Sequence, residues 1–247
     1  MKKQAFVELL KVISFSLLIC IVTALLCLLQ HVIENKDITV CSKEQINTSI
    51  TVIIDAGHGG ADGGAVGVTG VLEKDINLAI SKQLESMFRL CGINTVMTRN
   101  DDRLLYKEGQ ESRKKFYDLK NRTDLVNSYE NAILISIHQN KFPIEKYSGL
   151  QVYYSQNEKD SEKIAGLIQS KTAQHLQPEN KREIKKAGRN IYILNNAKLP
   201  AVLVECGFLS NGREEANLSD INYQKKIAAV IFSAVTEYIY IENEAIT

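Results

Sequence analysis

Three short runs constrain this chain more than any other feature. Thr51–Asp55 (TVIID), Ala132–Ile137 (AILISI) and Ala201–Val204 (AVLV) are apolar on both faces, and each gives way to a polar residue. Such runs read as strands covered on both sides of a sheet. Between and around them the spacing turns helical. Lys74–Leu90 carries Ile76, Ile80, Leu84, Met87 and Phe88 on one stripe and closes at Gly92. Asp118–Tyr129 and Glu158–His175 are predicted as helices, the second with Ile164, Leu167, Ile168 and Leu176 as its stripe. A last helix, capped by Ser219 or Asp220, runs to about Ile241. Further strands are expected at Ile93–Thr98, Gly149–Tyr154 and Ile191–Leu194. Arg99–Phe116 reads as a long surface loop and Gln177–Gly188 as a basic one. Strands alternating with helices predict an α/β fold with a mostly parallel sheet.

The chain has 247 residues and is 45% hydrophobic, which suits one domain with a sizeable core. Its formal net charge of +1 argues against a nucleic-acid partner. The N-terminus stands apart. Val12–Leu29 is 18 residues without a charge, close to the length of a membrane-spanning helix. Lys2, Lys3 and Lys11 precede it, so the positive-inside rule places residues 1–11 in the cytoplasm and the rest outside. Residues 12–30 are therefore expected to be an uncleaved single-pass anchor in the cell membrane, with a cleaved signal as the alternative. Residues 31–50 read as a linker, 51–242 as the folded domain and 243–247 as a tail. Outside the apolar segment stand Cys41, Cys91 and Cys206. Three thiols make no disulfide framework, and no pairing among them follows from the sequence.

In open α/β sheets, sites gather beyond the carboxyl ends of strands. The glycine-rich stretch DAGHGGADGG, Asp55–Gly64, follows the first strand. His138 follows the second buried strand, and Glu205 ends the run that begins at Ala201. His31 abuts the apolar segment and His175 sits at a helix end, so His58 and His138 are the better-placed imidazoles. Two imidazoles and a carboxylate form a catalytic zinc donor set. Asp55, Asp62 and Glu73 are the candidate carboxylates. Position alone does not separate a ligand at Glu73 from a first-turn acid that complements a helix dipole. Glu205 stands among apolar neighbours, where an acid is costly unless used or paired. It is a candidate general base, against a structural ion pair with a basic residue. Cys206 should face the other side of the strand. The glycines Gly57, Gly59, Gly60, Gly63 and Gly64 allow close backbone approach and positive φ. The spacing fails both the dinucleotide and the P-loop patterns.

The ordered blocks IIDAGHGGADGGAVG (Ile53–Gly67), LEKDINLAI (Leu72–Ile80), Thr98-Arg99, the arginine of LKNRTDLVN (Arg122), ISIHQN (Ile135–Asn140), GLQVYY (Gly149–Tyr154) and VECGFLSN (Val204–Asn211) resemble those of the zinc-dependent N-acetylmuramoyl-L-alanine amidases, bacterial cell-wall hydrolases. The resemblance spans about residues 50–240. It implies a mixed six-stranded sheet flanked by helices. It also implies Zn2+ held by His58, Glu73 and His138, with Glu205 as catalytic acid and base. Arg122 and Asn140 become candidate substrate-binding residues. The implied substrate is peptidoglycan, cut between N-acetylmuramic acid and L-alanine, and the extracytoplasmic placement agrees. A single catalytic domain on one anchor resembles the sporulation amidases, which trim stem peptides so that muramic-δ-lactam forms in spore cortex. Vegetative or cell-separation amidases, and an inactive peptidoglycan-binding scaffold, are the alternatives. An activator protein that stabilises an open metal site is a further expected partner. Gln139 departs from the small residue common in the family, and Arg99–Phe116 looks longer than usual. The basic cluster Lys181, Arg182, Lys185, Lys186 and Arg189 suits either a solvated surface or contact with stem-peptide carboxylates or an anionic wall polymer.

Overall fold

The β-branched runs become the centre of a six-stranded sheet. A computed structural model of the chain describes residues 11, 14–17, 19–25 and 49–246. Its strands are β1 (Thr51–Ala56), β2 (Thr95–Met97), β3 (Ala132–Asn140), β4 (Gln151–Tyr154), β5 (Lys185–Lys186) and β6 (Ala201–Phe208). Their order is β2-β1-β3-β6-β4-β5. β2, β1, β3 and β6 are parallel, whereas β4 runs antiparallel to β6 and carries β5 with it. The expected mixed six-stranded sheet is thus present. The helices are α1 (Glu73–Leu90), α2 (Lys114–Val126), α3 (Asp160–His175), α4 (Tyr192–Asn196), α5 (Gly212–Ser219) and α6 (Ile221–Ile246).

Alternation along the strands divides the core in two. Val52, Ile54, Ile133, Ile135, Ile137, Val202, Val204 and Cys206 face α1, α3 and α6. Ile53, Leu134, Ala201 and Leu203 face the opposite side, where Val126 of α2 and Ile193 and Leu194 of α4 cover them. Of the predicted α1 stripe, Ile76, Ile80, Leu84 and Phe88 are at most 3% exposed, while Met87 lies at its margin, partly buried. Burying each such side chain contributes about 1.5–3 kcal/mol, so this stripe fixes α1, and with it Glu73 at its first turn.

A 3-10 turn at Glu111–Arg113 and the first residues of α2 lie inside the stretch Arg99–Phe116 expected as a loop, and three further elements differ from the sequence expectation. Ile191–Leu194 is not a strand: α4 occupies Tyr192–Asn196. Ile193 and Leu194 turn into the core while Asn195 donates to the carbonyls of Gly188 and Ile191. The sixth strand is instead Lys185–Lys186, two exposed lysines paired through backbone with Tyr153 and Tyr154. No apolar pattern marks such a strand. α5 was not expected either, although Asn211 caps it by accepting from the amides of Arg213 and Glu214.

The chain divides into two units, Met1–Ser42 and Lys43–Thr247. In the first, residues 14–17 and 19–25 are helical. The expected span over 12–30 and the linker over 31–50 fall partly or mostly outside the described residues. Among the described residues no helix is long and apolar enough to cross a membrane. Cys206 is a buried free thiol, and Cys91 is disulfide-bonded.

Candidate active site

The carboxyl ends of β1, β3 and β6 converge on one polar cluster. His58 lies two residues beyond β1, His138 lies near the carboxyl end of β3, and Glu73 opens α1. The His58 Nε2 is 3.3 Å from Glu73 Oε2, and His138 Nδ1 is 3.0 Å from Glu73 Oε1. One ligand atom from each of the three lies within 4.8 Å of the others. The imidazole rings meet edge to face with centroids 5.0 Å apart. Of the three candidate carboxylates, then, Glu73 joins the histidines. Asp62 accepts from or shares a proton with His58 Nδ1 at 3.0 Å, which leaves Nε2 turned toward Glu73. Asp55 lies deeper and belongs to a different network.

The backbone around His58 is irregular, and buried arginines hold it. His58 has φ +62°, a left-handed conformation uncommon for a non-glycine residue. The carbonyls of Ala56, Gly57 and His58 have left the regular ladder and need donors. Arg99, 1% exposed, donates to Ala56 O at 2.8 Å and to Gly57 O at 3.0 Å. Arg122, also 1% exposed, donates to Ala56 O at 2.8 Å and to His58 O at 2.7 Å. Arg122 is itself paired with Asp55 at 2.8 Å and Asp118 at 2.9 Å. Asp55 also accepts from Thr98 and Ser136. Burial opposes ionisation of Asp55, but Arg122 and these hydroxyls outweigh it and hold its pKa down at about 2. Arg122, expected at the substrate, is therefore a buried brace beneath the loop, with no guanidinium surface left for a ligand.

Close approach explains two of the glycines. A Cβ on Gly57 would lie 2.3 Å from the His138 ring, and one on Gly64 would lie 2.6 Å from Glu73 Oε2 and 2.7 Å from His58. Gly57 and Gly64 are thus walls of the three-donor cluster.

A second layer orients Glu73. Its Oε1 accepts from the Gln139 amide at 3.0 Å and from Asn77 Nδ2 at 3.3 Å. Gln139 Nε2 donates to Asn77 Oδ1 at 3.1 Å, and Asn77 also donates to Gly57 O. Asn77 was not singled out from the sequence, although its position four residues after Glu73 places both on one helix face. Burial favours a neutral Glu73, but the hydrogen bonds from His138 and His58 prevail and hold it well below the usual carboxylate range. Burial likewise lowers the His58 pKa, yet Glu73 and Asp62 overcome this and raise it to about 9.

Glu205 pairs in register with His138 on one side and with Gln151 on the other. Among the described residues it makes no ion pair, so the structural reading of this acid lacks its basic partner. Its Oε2 is buried without a hydrogen-bond partner. Burial, chiefly, raises its pKa to about 7, with His138 and His58 opposing and Glu73 adding to the rise. Asn140 ends β3 and lines a cavity of about 330 Å³ beside Glu205's neighbour Gln151.

An α/β sheet that gathers two imidazoles, a carboxylate and a second, unpaired acid at its strand ends has the donors and the proton-transfer group of a metal-dependent hydrolase. A family model described as N-acetylmuramoyl-L-alanine amidase matches residues 52–237. The chain is 38% identical over 189 residues to the germination-specific N-acetylmuramoyl-L-alanine amidase of Bacillus subtilis, covering 76% of this chain and 78% of that protein. Among solved structures, the CwlD amidase from Clostridioides difficile in complex with the GerS lipoprotein superposes with a TM-score of 0.74. That structure is 38% identical and covers 77% of this chain and 98% of its own. The catalytic domain of the amidase CwlV from Bacillus (Paenibacillus) polymyxa superposes with a TM-score of 0.64 at 31% identity, covering 76% and 97%. The chain belongs to the N-acetylmuramoyl-L-alanine amidase family.

Proposed function

We propose that the chain hydrolyses the amide between N-acetylmuramic acid and L-alanine in peptidoglycan with Zn2+ held by His58, Glu73 and His138. The donor types fit: two imidazoles and one carboxylate are the donors that would hold zinc and leave it accessible to water and substrate. The walls fit too, since Gly57 and Gly64 leave no space for a side chain between the donors. When bound, the metal supplies Lewis-acid polarisation of the scissile carbonyl and of water. The protein's own work falls to Glu205. Its carboxylate takes a proton from the attacking water and returns it to the leaving amine as the carbon–nitrogen bond breaks. A pKa near 7 suits both transfers. The buried, unpartnered Glu205 oxygen next to the three-donor cluster is the observation that carries this reading.

The biological setting is part of the same proposal. The similarity to a germination-specific amidase supports trimming of stem peptides in spore cortex. The similar amidase found with a lipoprotein supports an activator protein of that kind. The apolar stretch over 12–30 supports a membrane anchor, with the catalytic domain on the cell-wall side. Its described residues are helical and expose Phe15, Leu17, Ile19, Ile21, Val22 and Leu25.

The test is to incubate the full chain with intact peptidoglycan, with and without zinc, beside Glu205→Gln. Free stem peptides with intact glycan are expected, lost by about 10²–10⁴-fold in the variant while zinc content holds. Cleaved glycan, or equal turnover by the variant, refutes the reading.

A further inference from the structure

Of the five cations in the basic segment, Arg182 is built differently from the rest. Its Nε donates to Ser148 O at 2.7 Å and its Nη1 to Gln151 Oε1 at 2.9 Å. The guanidinium carbon lies 4.6 Å above the Phe208 ring. Gln151 is held in turn, donating from Nε2 to Glu183 O at 2.8 Å. Two nitrogens and one face of the guanidinium are therefore fixed. Among the described residues Nη2 makes no hydrogen bond, and no carboxylate forms an ion pair with the group. The nearby Glu214 feels the charge of Arg182 but is hydrogen-bonded elsewhere, accepting from the amides of Gly149 and Phe208.

This fixed cation lines the cavity of about 330 Å³ that also receives Asn140, Tyr153, Lys185 and Phe208. Lys186 and Arg189 do not line it. Gln151, on which Arg182 rests, is the register partner of Glu205 in the adjacent strand. Adjacent strands lie about 4.8 Å apart, and an extended peptide advances about 3.3–3.6 Å per residue. An anion bound here lies one strand and one side-chain contact from Glu205, a few residues along an extended peptide from a bond cut there.

We infer that Arg182, with Lys185 as a second cation, forms a subsite for a free carboxylate of the stem peptide. The inference rests on the amidase reading and adds to it a preference among substrates. An arginine pinned on two sides loses little side-chain freedom when it binds a carboxylate, and its planar fork matches that group. A phosphate of an anionic wall polymer shares the charge, but the cavity's place beside Glu205 favours an anion carried by the peptide being cut.

The test uses the zinc-loaded full chain in detergent and two soluble muropeptides. They are identical except that the stem-peptide carboxylates are free in one and amidated in the other. The readout is the ratio of their kcat/KM values, with zinc content and melting temperature as controls. The native chain is expected to prefer the free acid by about 10–100-fold, the scale of a charge-assisted hydrogen bond. Arg182→Ala should bring that ratio close to one, and Arg182→Lys should keep part of it. Equal use of both substrates by the native chain overturns the inference. An unchanged ratio in both variants also overturns it and leaves Arg182 as a prop for the Ser148 carbonyl. If Arg182→Ala weakens binding to phosphate-bearing wall polymer while the ratio stands, the cations serve the polymer and the inference fails. If the native chain alone cleaves neither muropeptide, equilibrium binding of the two to the zinc-loaded chain is compared instead, and equal affinities overturn the inference.

Discussion

Gly57 is the residue at which local sequence and the site are most tightly coupled. An added Cβ would occupy the His138 ring position at 2.3 Å. Gly57→Ala should therefore displace His138 and cut zinc affinity sharply, as measured by competition with a chromophoric chelator. A subtler loss is expected one layer out. Asn77 and Gln139 fix the Glu73 carboxylate through three hydrogen bonds among themselves and its Oε1. Removing such outer partners commonly costs 10–100-fold in metal affinity. Asn77→Ala should weaken zinc by that order while leaving Glu205 in place. Gln139→Ala keeps its backbone amide on Glu73, so its loss should be the smaller of the two. Affinities in the reverse order would show that the Gln139 side chain, not Asn77, positions the ligand.

At the scale of elements, two arginines join four segments. Arg99 follows β2, Arg122 lies in α2, and both reach the carbonyls that follow β1. Arg99 also reaches the Lys74 carbonyl in the first turn of α1. The loop bearing His58 is thereby held by charge-assisted bonds rather than by apolar packing. Breaking a buried ion pair by removing one partner costs about 3–5 kcal/mol, because the other charge is left unpaired. Arg122→Ala strands both Asp55 and Asp118, and thermal unfolding should show a loss of that size. Arg122→Lys should not restore it, since one ammonium cannot span Asp55, Asp118 and two carbonyls. Full stability in either variant would mean that the loop is held by other contacts.

At the scale of the whole molecule, two raised pKa values set a pH dependence. The folded-state pKa of Glu205 is about 7 against an ordinary value of 4.5, and that of His58 is about 9 against 6.5. In both cases the folded chain binds protons more tightly than the unfolded chain. Their linkage therefore lowers the stability of the metal-free protein as pH rises, from 4.5 to about 7 for Glu205 and from 6.5 to about 9 for His58. Asp55 acts oppositely: its contribution is present above about 3.8 and disappears as pH falls through about 2. Thermal melts in chelator across pH 5–9 should thus decline toward alkaline pH. Glu205→Gln should remove the part below about 7. Zinc must displace the His58 proton, so its affinity should rise over the same range. A flat melting profile in chelator would refute the assigned linkage.

The amino-acid sequence by itself determined the α/β class, the three buried strands, the stripe of α1 and the candidates His58, His138 and Glu205. Each of these follows from local periodicity or from a polar residue at or just beyond the end of an apolar run, both of which survive in one dimension. Position left three carboxylates open and the resemblance implied Glu73; the tertiary structure brings Glu73 to the histidines, because Asp55, Asp62 and Glu73 differ mainly in what lies across from them. The same holds for Arg122, which the resemblance offers as a substrate contact and which Asp55 and Asp118 enclose in the fold. It holds for β5 as well, two lysines with no pattern of their own that become a strand because the edge of β4 offers open hydrogen bonds. Periodicity reports which face of an element is buried. The partner of a charge, or of a lone backbone edge, is set by chain segments tens of residues away, and no local pattern encodes it.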